Sequence, residues 1–195
     1  IFTMNDLQIS LPDNYATIKT ASEAIHFSMP SDLQAGCLLR TLVASKPAGS
    51  FLELGTGTGL SLSWIVEGMD NDASVISIDN NETYLAIARK FFDNDKRVTI
   101  VCEDGNAWIR SNPYKQFDLV FADAWPGKYE AFEETLELIK PGGFYIIDDM
   151  SPQPNWPAGH ELNVERLVNE LEQRDDIRLT KMNWSTGLVI VTKIK

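Results

Sequence analysis

Cysteine is scarce in this 195-residue chain, which holds only Cys37 and Cys102. Two are too few for a disulfide framework, and they are not spaced as zinc ligands are. Cys37 falls in an apolar helical pattern and Cys102 ends an apolar strand pattern, so both are expected as reduced core residues. Long hydrophobic runs are missing too. No uncharged stretch reaches the roughly 18 apolar residues of a membrane-spanning helix, and no signal-peptide profile is present. A cytoplasmic protein without membrane contact is the expectation. Positive charge is in deficit, with 17 Lys and Arg against 28 Asp and Glu and a formal net charge of −11. The basic residues are scattered, which disfavours a nucleic-acid partner, whose binding draws on clustered phosphate contacts. Repeats and low-complexity linkers are also lacking. At 44% hydrophobic and 23% charged residues, the composition is globular. A single domain over 1–195 is expected, with 1–30 as an N-terminal extension or lid and 31–195 as the core.

Against these absences stands one dense stretch, residues 51–60, Phe-Leu-Glu-Leu-Gly-Thr-Gly-Thr-Gly-Leu. Phe51, Leu52 and Leu54 read as a buried strand. The run breaks into Gly55, Gly57 and Gly59, and a helical pattern follows with Leu62, Ile65, Val66 and Met69 on one face. Glycines at a strand-to-helix turn permit positive φ and close approach of a ligand, and the helix start offers free N–H groups. A dinucleotide fingerprint would need glycine at the sixth place of the loop, where Leu60 stands. A Walker loop would need Gly-Lys-Ser/Thr, and no lysine is there. Glu53, just before the first glycine, opposes a diphosphate and suits a ligand carrying positive charge.

From residue 50 strands and helices alternate. Strands are predicted at 50–54, 74–78, 97–102, 117–122 and 144–148, with helices at 60–69, 81–93 and near 106–111. A further helix presents Tyr129, Phe132, Leu136 and Ile139 on one face. Near-continuous apolar strands separated by helices imply a parallel sheet covered on both sides. The last part differs: a helix at 160–174 precedes strands 177–182 and 187–193, joined by Asn183-Trp184-Ser185-Thr186 as a hairpin. The fold class is therefore α/β, a Rossmann-like doubly wound, mostly parallel seven-stranded sheet with one C-terminal antiparallel strand. Upstream, 15–27 reads as one helix, and Ser31 as the N-cap of an amphipathic helix carrying Leu33, Cys37, Leu38 and Leu42.

The Glu-Leu-Gly-Thr-Gly-Thr-Gly run at 53–59 resembles the first motif of class I S-adenosylmethionine-dependent methyltransferases. Asp79, ending Ile-Ser-Ile-Asp, stands where that family places its ribose-binding acid, and Glu-Asp-Gly-Asn-Ala at 103–107 resembles its adenine-binding turn. The turn aligns in two ways, with either Asp104 or Asn106 on the adenine. The resemblance implies a cofactor, S-adenosylmethionine, held by Glu53, Gly55, Thr56, Gly57, Gly59, Ser61, Asp79, Asn80, Asp104, Gly105, Asn106, Asp123 and Trp125. A narrower resemblance, to the cation-dependent O-methyltransferases of the catechol and caffeoyl-CoA type, rests on several segments. These are Met-Pro-Ser-Asp-Leu-Gln-Ala-Gly at 29–36, Phe-Asp-Leu-Val-Phe-Ala-Asp-Ala at 117–124, Tyr129, Lys-Pro-Gly-Gly at 140–143 and Ile-Asp-Asp at 147–149. It implies methyl transfer to a hydroxyl of a small molecule, a homodimer, and a Mg²⁺ ion on Asp123, Asp148 and Asp149. Carboxylate oxygens suit that ion.

Two departures from the pattern stand out. The family's usual asparagine is Asp149 here, and its base lysine is replaced by Pro126, leaving Lys128 as the candidate catalytic residue beside Asp123. A metal-independent methyltransferase with another acceptor, such as nitrogen or a protein, and a cofactor-binding protein with lost catalysis are the alternatives. The proline-rich segment 150–157 is expected to shape the substrate mouth. His26 and His160 are expected as surface or helix-end residues, and Trp125, Trp156 and Trp184 as pocket or core-rim aromatics.

Overall fold

The structure, a computed structural model, describes residues 5–154 and 156–195. The first four residues of the expected N-terminal extension and Asn155 of the proline-rich segment lie outside the described residues. Seven strands form one sheet: β1 (Ser50–Leu54), β2 (Ser74–Asp79), β3 (Val98–Cys102), β4 (Phe117–Ala122), β5 (Ile139–Ile147), β6 (Ile177–Met182) and β7 (Leu188–Lys193). Their order is β3-β2-β1-β4-β5-β7-β6. All neighbouring pairs up to β5 are parallel, whereas β7 runs antiparallel to both β5 and β6. The strand order reverses between β1 and β4, and such a switch opens a crevice at the carboxyl ends of the strands.

The helices are α1 (Tyr15–Ala24), α2 (Leu33–Ala44), α3 (Leu60–Gly68), α4 (Glu82–Phe92), α5 (Gly105–Ser111), α6 (Phe132–Glu137) and α7 (His160–Glu172). One face of the sheet packs on Ile18, Leu39, Trp64 and Phe92 from the first four helices. The other packs on Trp108, Phe132, Leu136 and Leu167 from the last three. Burial from both sides explains why the central strands are mostly apolar on both faces rather than at alternate positions, Glu53 of β1 and Ser77 of β2 being buried exceptions. No described helix is long and apolar enough to cross a membrane.

Four expectations are corrected. Tyr129 and Ile139 do not share a helix: Ala131, at φ 50°, interrupts the chain before α6, and Ile139 already pairs with Phe117 in the sheet. Cys102 is exposed, because β3 is an edge strand, and Cys37 is only partly buried. The N-cap of α2 is Asp32, not Ser31. The helix over 15–27 also stops early, at Ala24, with His26 at φ 58°.

Candidate active site

The glycine loop leaves β1 with Gly55, Gly57 and Gly59 at φ 104°, 51° and 93°. Gly55 and Thr56 donate their N–H groups to the Ile78 carbonyl at 2.9 and 3.1 Å, which ties the loop to the end of β2. Asp79, one residue further, accepts from the Gly57 N–H at 2.9 Å on Oδ2 and from the Asn81 N–H at 2.8 Å on Oδ1. Asn81 in turn caps α4 by accepting from Thr83 and Tyr84. Gly55, Gly57, Asp79, Asn80 and Gly105 all line one cleft of about 780 Å³, a volume usual for small-molecule sites.

Other expected cofactor residues sit behind the loop instead. Glu53 is fully buried beneath it, taking a short hydrogen bond from Ser77, whose hydroxyl also meets that of Thr56 at 2.6 Å. Its Oε1 has no partner among the described residues. Burial pushes the Glu53 carboxyl up to about 7, against hydrogen bonds from Ser61 and Ser77. Thr56 and Ser61 are buried beside it, and Gly59 starts α3. Asp104 caps α5 through the Ala107 N–H at 2.9 Å, and the Asn106 amide donates to Glu130. Neither Asp104 nor Asn106 lines the cleft, whereas Glu103 does.

The N-terminal segment supplies parts that sequence reasoning missed. Ser22 of α1 donates to Thr58 Oγ1 at 2.7 Å, pinning the helix onto the glycine loop. Phe27 then lies over Gly57, where a Cβ would come within 2.8 Å of its ring, and meets Tyr84 edge-on. The chain continues along the cleft through Pro30 to Ser31, whose hydroxyl donates to Asp123 Oδ2 at 2.7 Å. The signal for this was present in Met29-Pro30-Ser31-Asp32. Proline keeps the residue before it extended, and of two adjacent capping residues only one can cap.

Across the cleft, Asp123 follows β4 and Asp148 and Asp149 follow β5, neighbours in register through Ala122 and Ile147. Asp148 is buried and does not line the cleft. Its Oδ1 accepts from the Asp149 N–H and the Thr186 hydroxyl, both at 2.8 Å. Thr186 belongs to the β6–β7 connection, so the C-terminal hairpin also positions the site. Asp149 lines the cleft at φ 57°. Burial, and then the charge of Asp148, push the Asp123 carboxyl well above the usual range, while Lys128 opposes them. Burial and Asp149 raise Asp148 in the same direction.

Lys128 arrives here through a turn in which the Lys128, Tyr129 and Glu130 N–H groups all point at the Trp125 carbonyl. Gly127 makes the turn possible. It has φ 80°, and a Cβ there would stand 2.4 Å from Leu54 Cδ1. Beside Lys128 four rings gather: Trp125, Tyr129, Trp156 and His160, with His160 4.5 Å from Trp156 and 5.1 Å from Tyr129 between centroids. His160 is buried rather than on the surface. Its Nε2 lies 3.2 Å from the Tyr129 hydroxyl, and its Nδ1 has no partner among the described residues. Burial and Lys128 lower the His160 pKa, and burial with Asp149 raises that of Tyr129 to about 12. His26 and Trp184 do not line the cleft.

A glycine loop on β1, an acid ending β2 and a second cluster of acids beyond β4 and β5 define a Rossmann-like methyltransferase fold. The chain belongs to the O-methyltransferase family, whose model matches residues 15–194. The O-methyltransferase hkm8 of Aspergillus hancockii is 32% identical over 130 residues, 62% of this chain and 50% of that protein. A Mycobacterium avium (strain 104) relative is 28% identical over 117 residues, 57% of this chain and 53% of that one. The chain thus spans about half the length of the curated relatives it matches. Among solved structures, the O-methyltransferase TomG of Streptomyces achromogenes, involved in tomaymycin synthesis and solved with S-adenosylmethionine, superposes with a TM-score of 0.83 at 20% identity. That match covers 97% of this chain and 93% of TomG. A Bacillus cereus O-methyltransferase with S-adenosylhomocysteine gives 0.79 at 22% identity, covering 96% and 94%. At these identities the likeness is one of fold.

Proposed function

We propose that the protein transfers a methyl group from S-adenosylmethionine to a hydroxyl of a small molecule. The observation that carries this reading is one cleft lined by Gly55, Gly57 and Asp79 together with Asp123, Lys128 and Asp149. Asp79 is the acceptor for the ribose hydroxyls, pre-set by the two backbone N–H groups it already holds. Gly105 and Glu103 flank the adenine. Glu53 acts from beneath, shaping the loop through Ser77 and Ser61 rather than by contact. The hydroxyl oxygen attacks the methyl carbon, the carbon–sulfur bond breaks with its electron pair passing to sulfur, and the hydroxyl proton passes to the Asp123 carboxylate. Ser31 keeps that carboxylate oriented, and most of the remaining rate comes from alignment of oxygen, carbon and sulfur. Trp125, Tyr129 and Trp156 form the acceptor's wall and exclude water around it.

The divalent ion that the family resemblance implies has a weaker footing. Asp123, Asp148 and Asp149 have the right oxygens, but no three His, Cys, Asp or Glu side chains among the described residues are grouped so as to hold an ion.

The proposal is tested by titrating the protein calorimetrically with S-adenosylmethionine and S-adenosylhomocysteine, then offering a panel of phenols, catechols and amines with labelled methyl donor. Binding with methylated hydroxyl products is expected. Failure to bind either cofactor form would overturn the reading. Tight binding with no turnover of any acceptor would replace it with a cofactor-binding role.

A further inference from the structure

The acids at the acceptor end require balancing charge. Mg²⁺ asks for near-octahedral oxygens at roughly 2.0–2.1 Å. Here Asp148 Oδ1 is already engaged by two donors and Asp123 Oδ2 by Ser31. With the Lys128 ammonium in the same cleft, the arrangement as it stands does not fit that ion. What the cleft holds instead is a lysine. The Lys128 side chain is 4% exposed yet lines the cleft, 6.0 Å from the Tyr129 ring centroid, and it has no ion-pair partner among the described residues. It lines the same cleft as Asp123, Asp149 and His160, and its charge opposes the upward shifts of Asp123 and Asp148. A long side chain largely buried, with its ammonium left without an ion-pair partner in an acid-lined cleft, is held for something that enters the cleft.

We propose that Lys128 is the resident cation of the site, resting on the methyltransferase reading: its ammonium balances Asp123 and Asp148 and donates to the acceptor oxygen, so that no divalent ion is required. The ammonium lowers the cost of developing negative charge on the oxygen while the proton moves to Asp123, the work a Lewis acid would do. The oxygen–carbon bond then forms as the carbon–sulfur bond breaks. The net products are the methyl ether, S-adenosylhomocysteine and one proton released through Asp123. Pro126 and Gly127 are part of the same device, since their turn carries Lys128 into the cleft five residues after Asp123.

The test uses Mn²⁺ as the probe, followed by the EPR signal of the free ion in protein saturated with S-adenosylhomocysteine. The unaltered chain is expected to leave equimolar Mn²⁺ free. Lys128→Ala and Lys128→Gln should each take it up, with affinity raised on the order of tenfold or more once the like charge has gone. Lys128→Arg should behave as the unaltered chain. Stoichiometric Mn²⁺ uptake by the unaltered chain, or no gain in both neutral variants, overturns the proposal. Calorimetric titration of S-adenosylhomocysteine on the same samples separates the two readings. Cofactor binding with Mn²⁺ uptake by the unaltered chain removes only the resident-cation role, whereas absence of cofactor binding removes both.

Discussion

The cofactor end of the cleft is made largely of backbone, and the acceptor end largely of side chains. At the first, Gly55, Thr56 and Gly57 donate N–H groups to Ile78 and Asp79, all within the ends of two adjacent parallel strands. At the second, Ser31, Asp123, Lys128, Asp149, His160 and Thr186 come from five separate places in the chain, Asp123 and Lys128 sharing one loop. A site built on neighbouring strand ends stays rigid because the sheet holds it. A site assembled from loops depends on every long-range contact that brings a loop in, and it can change its chemistry by exchanging one of them.

The contrast can be broken most directly at Asp79. Asp79→Ala removes the acceptor for two backbone N–H groups and the proposed acceptor for the ribose, and S-adenosylhomocysteine affinity should fall on the order of 100-fold, about 3 kcal/mol. A calorimetric affinity within a few-fold of the unaltered value would show that the loop does not need its acid. Gly127→Ala strikes the other end. A Cβ at φ 80° against Leu54 should cost about 2 kcal/mol of stability, read from urea unfolding. It should also slow single-turnover methyl transfer on the order of tenfold, with cofactor affinity retained. If cofactor affinity falls in step, the two ends are not separable.

The pH dependence probes the layer beneath the loop. Glu53 is raised from an ordinary 4.5 to about 7, so the folded chain holds its proton more tightly than the unfolded one. Its contribution to stability is complete below pH 4.5 and is lost as pH rises through about 7; Asp148 and Asp123 act in the same direction. Thermal midpoints of the unaltered chain should therefore decline across that window, and Glu53→Gln should flatten the decline by about 1–2 kcal/mol. An unchanged slope in the variant would place the effect elsewhere. Ser31→Ala is the smallest expected change. It leaves Asp123 without its hydroxyl donor, about 1 kcal/mol, with a few-fold loss of turnover and unchanged cofactor binding.

The strands were legible to within a residue or so except β5, which begins at Ile139 rather than 144, because strands buried on both faces are mostly apolar and that pattern is local. The glycine loop was legible for the same reason. Where reading failed, a distant contact had intervened. Tyr129 fits a helical face with Phe132 and Leu136, yet the turn over Gly127 and Ala131 takes it into the cleft beside His160. His160 has the sequence neighbourhood of a helix-end residue, and only the packing of Trp125, Tyr129 and Trp156 around it makes it part of the site. Glu53 has the position of a ligand contact, but the depth of β1 in the sheet seals it away.

By itself the sequence determined the α/β order, the glycine turn and the acid that ends the second strand. Each of these depends on periodicity, backbone freedom or the residue next in line. Only the tertiary structure decided that Ser31 serves Asp123 rather than a helix, that Thr186 occupies Asp148, and that Lys128 faces the acids of the cleft. The Ser31–Asp123 and Thr186–Asp148 pairings join residues separated by tens of positions, and it is the closure of the sheet and its loops, not any local preference, that brings them together.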